Sequence, residues 1–197
     1  MAGRSPDGEL LAHASWEAER LKKKIISIAI LVIVIGLIGY RVVQHMNQKT
    51  LTAEEAAKVN ELAPSFTLQS LDGQSFAVGG ERDKPLFLNF WASWCGPCEE
   101  EAPDLVNVYK KYQGKFDLYA VNVTPGDKMD NIKKFVDTYQ YPFPVLLDKE
   151  GKNADAYSVI AIPTSFLIDR HGVIREVIHV LSAKELDKKL AKLIAES

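Results

Sequence analysis

The feature that most constrains the fold is a pair of cysteines, Cys95 and Cys98, that stands between an apolar run and a helix-like segment. The run Pro85–Trp91 (PLFLNFW) carries no charge and has the length of a strand, which is typical of a central strand covered on both faces. The segment from Pro97 to Tyr112 is predicted to be a helix. Two cysteines separated by two residues, placed where a buried strand passes into a helix, indicate an α/β domain.

The composition narrows the class of protein further. The two cysteines are the only ones in 197 residues, which excludes a miniprotein held by several disulfides and a zinc site with four cysteine ligands. A net charge of −2 leaves no electrostatic footprint for nucleic acid, so we expect no nucleic acid partner. Hydrophobic residues make up 47% of the chain, an ordinary globular value that argues against wholesale disorder.

The remaining pattern alternates strand-like and helix-like segments. A β-hairpin is predicted around Asp72-Gly73, which separates two alternating segments. Ser182 and Glu185 form a predicted capping box at the start of a last helix. This order predicts an α/β fold with a mixed central sheet and helices on both faces. Further strands are predicted at Phe116–Val123, Phe143–Leu147, Thr164–Asp169 and Val173–Val180, and further helices at Met129–Tyr139, Ala154–Tyr157 and Ser182–Ala195.

An uncharged run of 16 residues, Ile25–Tyr40, lies near the N-terminus. A helix of that length spans roughly 24 Å, and Val42 and Val43 extend it toward the ~30 Å of a bilayer core. We therefore predict a transmembrane helix over residues 25–43, with the lipid bilayer as a partner. The alternatives are a cleaved signal peptide, for which the run is long and no small-residue cleavage site follows, and a buried core helix, for which an amphipathic pattern is missing.

Positive charge is distributed unequally about this run. Arg20 and Lys22–Lys24 precede it, and Arg41 is the nearby cation that follows. The positive-inside rule places residues 1–24 in the cytoplasm as a tail and the chain after Arg41 outside the membrane. Residues 44–62 are polar and helix-prone and are interpreted as a stalk. Residues 63–197 are long enough to form one compact extracytoplasmic domain.

The cysteine pair carries the candidate chemistry. The N-terminus of a helix has unpaired N–H groups and a partial positive charge, and both stabilise a thiolate nucleophile. We expect Cys95 to attack from the mouth of the site and Cys98, one turn into the helix, to resolve the mixed disulfide. The alternatives are a structural disulfide, which constrains little in so short a loop, and part of a metal site, for which the four histidines lack ligand spacing. A dithiol/disulfide cycle needs no bound cofactor.

The segment Phe90–Cys98 (FWASWCGPC) resembles the active-site segment of thioredoxin-fold proteins. Pro103 matches the helix-kinking proline of that family, and Ile162-Pro163-Thr164 matches its cis-proline loop. The predicted β-hairpin, a short insertion around Ala154–Tyr157 and the predicted membrane anchor narrow the resemblance further. Residues 60–197 resemble the membrane-anchored, extracytoplasmic thiol–disulfide oxidoreductases of the ResA and TlpA kind. The resemblance implies a thioredoxin-like fold with an extra N-terminal β-hairpin.

The resemblance also implies a role for a carboxylate. Glu101 matches a functional glutamate of ResA-type proteins, and it shares a helix face with Cys98 at i+3. A partly buried carboxylate at this position raises the pKa of a neighbouring thiol and can move its proton. Asn89 stands where thioredoxin has a buried Asp, and an amide cannot act as that base. Gly96 is the thioredoxin choice where many ResA proteins have Glu.

Three further residues are expected to bind substrate. In the family, the cis-proline matched by Pro163 packs against the disulfide, and the backbone before it, here Ile162, is free to pair with an extended substrate. Trp94, next to the nucleophile, is interpreted as a platform for the substrate. Trp91 is predicted to belong to the core.

The resemblance suggests a reductase that opens disulfides in exported proteins, with apocytochrome c before haem attachment as the suspected substrate. The implied reductant is a polytopic membrane thiol transporter of the CcdA type. The alternatives are a reductase for spore- or cell-envelope proteins and a thiol oxidant that introduces disulfides. A peroxidase would need Pro and Thr or Ser where this chain has Leu88 and Ala92, so that class is rejected. A binding module with an incidental cysteine pair is the remaining class.

Overall fold

The structure is a computed structural model that describes residues 35–37 and 59–196. The chain divides into two compact units, residues 1–53 and 54–197. In the first unit, residues 35–37 are helical. Within the described residues, no helix is long and apolar enough to cross a membrane. The predicted tail, transmembrane helix and stalk lie outside the described residues except at 35–37 and 59–62, and they stay predictions.

Residues 59–196 form a five-stranded mixed sheet and a two-stranded hairpin. The order in the five-stranded sheet is β5-β4-β3-β6-β7; β4 is parallel to β3 and β5, and β6 is antiparallel to β3 and β7. This mixed sheet, with the hairpin beside it, confirms the predicted fold class. The strands are β1 (Phe66–Gln69), β2 (Ser75–Val78), β3 (Leu86–Trp91), β4 (Asp117–Val123), β5 (Val145–Asp148), β6 (Thr164–Ile168) and β7 (Ile174–Ile178).

The described part of this unit has four helices: α1 (Gly96–Lys111), α2 (Met129–Tyr139), α3 (Lys152–Ala156) and α4 (Ala183–Glu196). The bounds of α2 are those predicted from its apolar spacing, and Ile132 and Phe135 are its buried residues. The predicted capping box is present at α4. The Glu185 amide donates to Ser182 Oγ at 3.4 Å, and the Ser182 amide donates to Glu185 Oε2 at 3.3 Å.

The side chains of β3 alternate between two apolar clusters, which explains why its sequence is apolar at every position except Asn89. Phe87 and Trp91 pack with residues of α1, α2 and α4 on one face of the sheet. Leu86, Leu88 and Phe90 pack with the hairpin and α3 on the other face. Helices therefore lie on both faces, as predicted, but the short α3 shares its face with the hairpin. The prediction that Trp91 belongs to the core is confirmed.

The predicted hairpin is present, with a longer connection than the dipeptide Asp72-Gly73 indicates. Residues 70–74 join β1 to β2. The Leu71 amide donates to the Val145 carbonyl at the edge of β5, at 2.9 Å. This contact draws the chain after β1 toward the sheet, so the turn closes over more residues than a two-residue hairpin does.

The chain that enters this unit covers the other edge of the sheet. The Asn60 amide donates to the Ile174 carbonyl at 2.7 Å, and the Ile174 amide donates to the Glu61 carbonyl at 2.9 Å. Each edge strand is thus covered at its first residues, which limits pairing with another chain there. Because β3 and β7 run in the same direction, this contact at the start of β7 lies at the opposite end of the sheet from Cys95, which follows the end of β3.

Candidate active site

Helix α1 begins at the two cysteines, which form a disulfide with their Cα atoms 5.2 Å apart. Cys95 is the N-cap residue, and Pro97 lies in the first turn, where its missing N–H leaves no helical bond unmade. The Cys98 amide donates to Cys95 Sγ at 3.3 Å. In the reduced protein the same amide and the positive end of the helix stabilise a thiolate at Cys95. This geometry suits Cys95 as the nucleophile.

Both cysteines are buried in the disulfide form, Cys95 with 4% and Cys98 with 1% of its surface exposed. Their exposed neighbours are Trp94, Gly96 and Pro97. Cys95 therefore lies just beneath the mouth of the site rather than at it. A substrate meets these three neighbours before it reaches either sulfur.

The loop before β6 faces the disulfide. The Ile162–Pro163 peptide is cis, and the Ile162 carbonyl oxygen lies 3.6 Å from Cys95 Sγ. Thr164 Oγ1 donates to the Ala161 carbonyl at 2.7 Å and lies 3.1 Å from His179 Nδ1 at the end of β7. Because the hydroxyl gives its single hydrogen to the carbonyl, His179 Nδ1 is the donor in the second contact. The loop is thereby held from within and from the neighbouring strand.

Two large apolar side chains are exposed on the segments that meet at this contact. Trp94 has 62% of its surface exposed, which suits the predicted platform, and Ile160 has 97%. Ile162 is half-buried and Pro163 is buried. The sequence analysis missed Ile160, although an isoleucine two residues before a cis-proline motif is a usable signal. Exposed apolar side chains beside a reactive group are typical of a surface that binds other proteins.

Glu101 lies in a buried polar cluster on the helix-covered face of the sheet. Asn89 Nδ2 donates to Glu101 Oε1 at 2.7 Å and to Ser165 Oγ at 2.9 Å. The strand register explains the second bond, since Asn89 of β3 stands directly opposite Ser165 of β6. Glu101 is 9% exposed and Cys98, three residues earlier on the same helix face, is 1% exposed. The carboxyl and the resolving sulfur are therefore shielded from water together.

This environment makes Glu101 a weak acid. Burial raises the pKa of Glu101 to about 7, the hydrogen bond from Asn89 lowers it in part, and the charge of Asp104 adds to the rise. Burial likewise raises the pKa of Tyr141, and the charge of Glu101 contributes to that rise. A carboxyl that titrates near neutral pH can both accept and release a proton during one catalytic cycle.

Potential metal ligands are not clustered in the described residues. Among residues 35–37 and 59–196, no group of three or more His, Cys, Asp or Glu side chains is placed to hold a metal ion. The reactive groups on hand are the two sulfurs and the side chains that hold or move their protons.

Comparisons with known proteins agree with this geometry. Residues 59–177 match the AhpC/TSA family. Thioredoxin-like protein YneN from Bacillus subtilis is 35% identical over 170 residues, which cover 85% of this chain and 97% of that protein. Thiol-disulfide oxidoreductase ResA from Bacillus thuringiensis subsp. konkukian is 36% identical over 168 residues, covering 84% of this chain and 94% of that protein. The chain belongs to the ResA-like thiol–disulfide oxidoreductases of the AhpC/TSA family.

A solved structure supports the same assignment for this ResA-like chain. StoA from Bacillus subtilis is similar with a TM-score of 0.57 and 26% identity, over 64% of this chain and 94% of that one. The ResA-like chain is a thiol–disulfide oxidoreductase, and its one cysteine pair supplies the redox centre.

Proposed function

We propose that the protein is an extracytoplasmic reductase of disulfides in exported proteins, with apocytochrome c before haem attachment as its substrate. The observation that carries the proposal is the buried Glu101, with a pKa near 7, on the same helix face as Cys98. Curated relatives that carry the name ResA, such as the one at 36% identity, support the assignment to this class of oxidoreductase.

The first step is an attack on the substrate. The Cys95 thiolate, stabilised by the Cys98 amide, attacks one sulfur of the substrate disulfide. A mixed disulfide forms between Cys95 and that sulfur, and the other substrate sulfur leaves as a thiolate that takes a proton. One disulfide has replaced another at this stage, and the Cys98 thiol is still reduced. The transfer of two electrons from the enzyme to the substrate is completed in the next step.

The second step resolves the mixed disulfide. Glu101 accepts the proton of the Cys98 thiol, and the resulting thiolate attacks Cys95 Sγ. The Cys95–Cys98 disulfide forms, and the second substrate sulfur leaves and takes the proton that Glu101 releases. The substrate disulfide has gained two electrons and two protons, and the enzyme dithiol has lost them.

The substrate binds as an extended segment beside the Cys95–Cys98 pair, which is reduced at this stage. The backbone at Ile162 pairs with the segment, and Trp94 supports it from the other side of Cys95. The half-buried position of Ile162 and the exposed ring of Trp94 support this arrangement.

The proposed location follows from the sequence. A transmembrane helix over residues 25–43 anchors the chain in the cell membrane with the N-terminus in the cytoplasm. A polytopic thiol transporter of the CcdA type then reduces the Cys95–Cys98 disulfide after each turnover. This partner supplies the two electrons that the cycle consumes.

A trapping experiment tests the substrate. In Cys98→Ser, Cys95 attacks but no resolving thiol follows, so the substrate stays disulfide-linked and can be identified by mass spectrometry after expression in the native host. Cys95→Ser/Cys98→Ser is the matched control. Capture of an apocytochrome c is the expected result. Capture of envelope proteins without cytochromes would move the assignment to the spore- or cell-envelope branch.

A second measurement tests the direction. Alkylation of whole cells should find the native cysteine pair reduced, and deletion of the transporter should leave it oxidised. A pair that stays oxidised in cells with the transporter would favour the oxidant that introduces disulfides.

A further inference from the structure

The turn that carries Cys95 is tied to a carboxylate outside the cysteine motif. Asp127 Oδ2 accepts from the Ser93 amide at 2.7 Å, and Asp127 Oδ1 accepts a short hydrogen bond from the Ser93 hydroxyl. Asn122 Nδ2 donates to Oδ2 at 2.9 Å, and the Lys128 amide donates to Oδ1 at 2.9 Å. Each carboxylate oxygen thus has two donors, which is the full acceptor capacity of an ionised carboxylate.

The carboxylate is itself held by the sheet. Residues Thr124 to Asp127 form a turn in which the Asp127 amide donates to the Thr124 carbonyl at 2.9 Å. Pro125 and Gly126, with φ +82°, occupy the positions that a type II turn reserves for Pro and Gly. The turn follows directly on β4, and Asn122 of that strand is fully buried. Asp127 is therefore a fixed point rather than a mobile surface acid.

Ser93 connects Asp127 to the turn that carries Cys95. It is followed by the exposed Trp94 and then by Cys95, whose amide donates back to the Ala92 carbonyl at 3.3 Å. Both polar groups of Ser93 that can donate, the amide and the hydroxyl, bind Asp127. The backbone that orients the Trp94 ring and Cys95 Sγ is thus anchored at its first residue.

We propose that Asp127 is a positioning residue that fixes the Ser93–Cys95 turn and so sets how a protein disulfide docks against Trp94 and reaches Cys95. It acts through Ser93 and touches neither sulfur in the contacts described. Loss of the anchor loosens the approach geometry, and small errors in geometry at a reacting centre lower rates by one to two orders of magnitude.

The test compares two disulfides of different size with the purified full-length chain. Insulin is the protein disulfide and hydroxyethyl disulfide is the small one. Asp127→Ala is expected to lower kcat/KM for insulin by about 10- to 100-fold and the rate with the small disulfide by less than about 3-fold. A merely structural role would lower both rates by the same factor, through the fraction of unfolded protein, and that result would overturn the proposal.

Further variants keep the test decisive if Asp127→Ala folds poorly. Asp127→Asn keeps one acceptor oxygen and should show an intermediate, still insulin-selective loss. Ser93→Ala keeps the amide bond to Asp127 and should lose less, and Ser93→Ala/Asp127→Ala should be no slower than Asp127→Ala alone. If the rate losses of the two single variants added in the double variant, Ser93 and Asp127 would act independently, which would contradict the proposal. Asp130→Ala, which removes an exposed carboxylate at the start of α2, the helix that follows Asp127, is the matched control and should leave both rates unchanged.

Discussion

Two acidic residues of this protein, Glu101 and Asp127, each accept a hydrogen bond from a different buried asparagine of the central sheet, and their surroundings differ. Glu101 receives one hydrogen bond, from Asn89 of β3, and burial raises its pKa to about 7. Asp127 receives four, from Asn122 of β4, from both donors of Ser93 and from the Lys128 amide. Glu101 is the more deeply buried of the two and accepts fewer hydrogen bonds, and burial with few donors raises the pKa of a carboxyl.

The two asparagines share a further trait. In the described part of the chain, neither Asn89 Oδ1 nor Asn122 Oδ1 has a hydrogen-bond partner. Each amide nitrogen donates to the nearby acid, and Asn89 also donates to Ser165. Each amide oxygen is left unpaired, which lowers stability by about 1–3 kcal/mol per group. Such a cost at two positions beside one site is typical of residues kept for function rather than for stability.

The largest expected effect comes from removing the proton carrier. Glu101→Gln keeps the shape and the contact with Asn89 but cannot accept the Cys98 proton, so disulfide exchange at pH 7 should slow by about 100-fold or more. Stopped-flow rates measure the change, and circular dichroism should find the fold intact. Glu100→Gln, an exposed neighbour, is the matched control. Unchanged exchange rates between about pH 6 and 9 would remove Glu101 from the mechanism.

The same substitution should stabilise the protein at high pH. Folding raises the pKa of Glu101 from 4.5 to about 7, so the stability contributed by the neutral carboxyl is complete below about pH 4.5 and is lost as the pH rises through about 7. Glutamine has no proton to lose. Glu101→Gln should therefore gain about 3 kcal/mol in unfolding free energy near pH 8 and nothing near pH 4. Denaturant titrations measure this; an equal effect at both pH values would contradict the raised pKa.

Removing the donor of Glu101 should move the titration itself. In Asn89→Ala the carboxylate loses the hydrogen bond that lowers the pKa of Glu101, so that pKa should rise further above 7. The midpoint of the pH–rate profile should move upward with it. Ser165→Ala removes only the other partner of Asn89 and serves as the control, with an expected midpoint near that of the native chain. A midpoint that stays in place in Asn89→Ala would mean that another group controls the profile.

The smallest expected effect comes from removing the Asn122 amide that donates to Asp127. In Asn122→Ala, Asp127 keeps its bonds to Ser93 and Lys128, so the unfolding free energy should fall by about 1–2 kcal/mol. The midpoint of the pH–rate profile should not move, in contrast to Asn89→Ala. A shift of that midpoint would show that the two asparagines do not have separate roles.

The sequence predicted what local patterns determine. The central strand Leu86–Trp91 and the helix Met129–Tyr139 follow from apolar runs and apolar spacing, and the cysteine motif follows from its place between a strand and a helix. The sequence also predicted that Glu101 shares a helix face with Cys98, since the spacing of three residues in a helix is enough to determine that.

What the sequence could not supply are contacts between distant segments. The sequence shows only that the Asn89 amide cannot act as a base. The contact of Asn89 with Glu101 depends on how α1 lies over β3 and on the register of β6. Asp127 contacts Ser93 across 34 positions of sequence, and no local pattern predicts that contact. Ile160 lies close to the predicted cis-proline motif, but the exposure of this apolar side chain is a property of the folded surface.

The central claim is that Glu101 exchanges a proton near neutral pH. Carbon-13 NMR of the glutamate side-chain carboxyls, followed from about pH 4 to 9 in the oxidised full-length chain, measures this directly, and Glu101→Gln assigns the signal. The account predicts one carboxyl that titrates near pH 7 and disappears in that variant. A Glu101 signal that titrates near the ordinary value of 4.5 would contradict it.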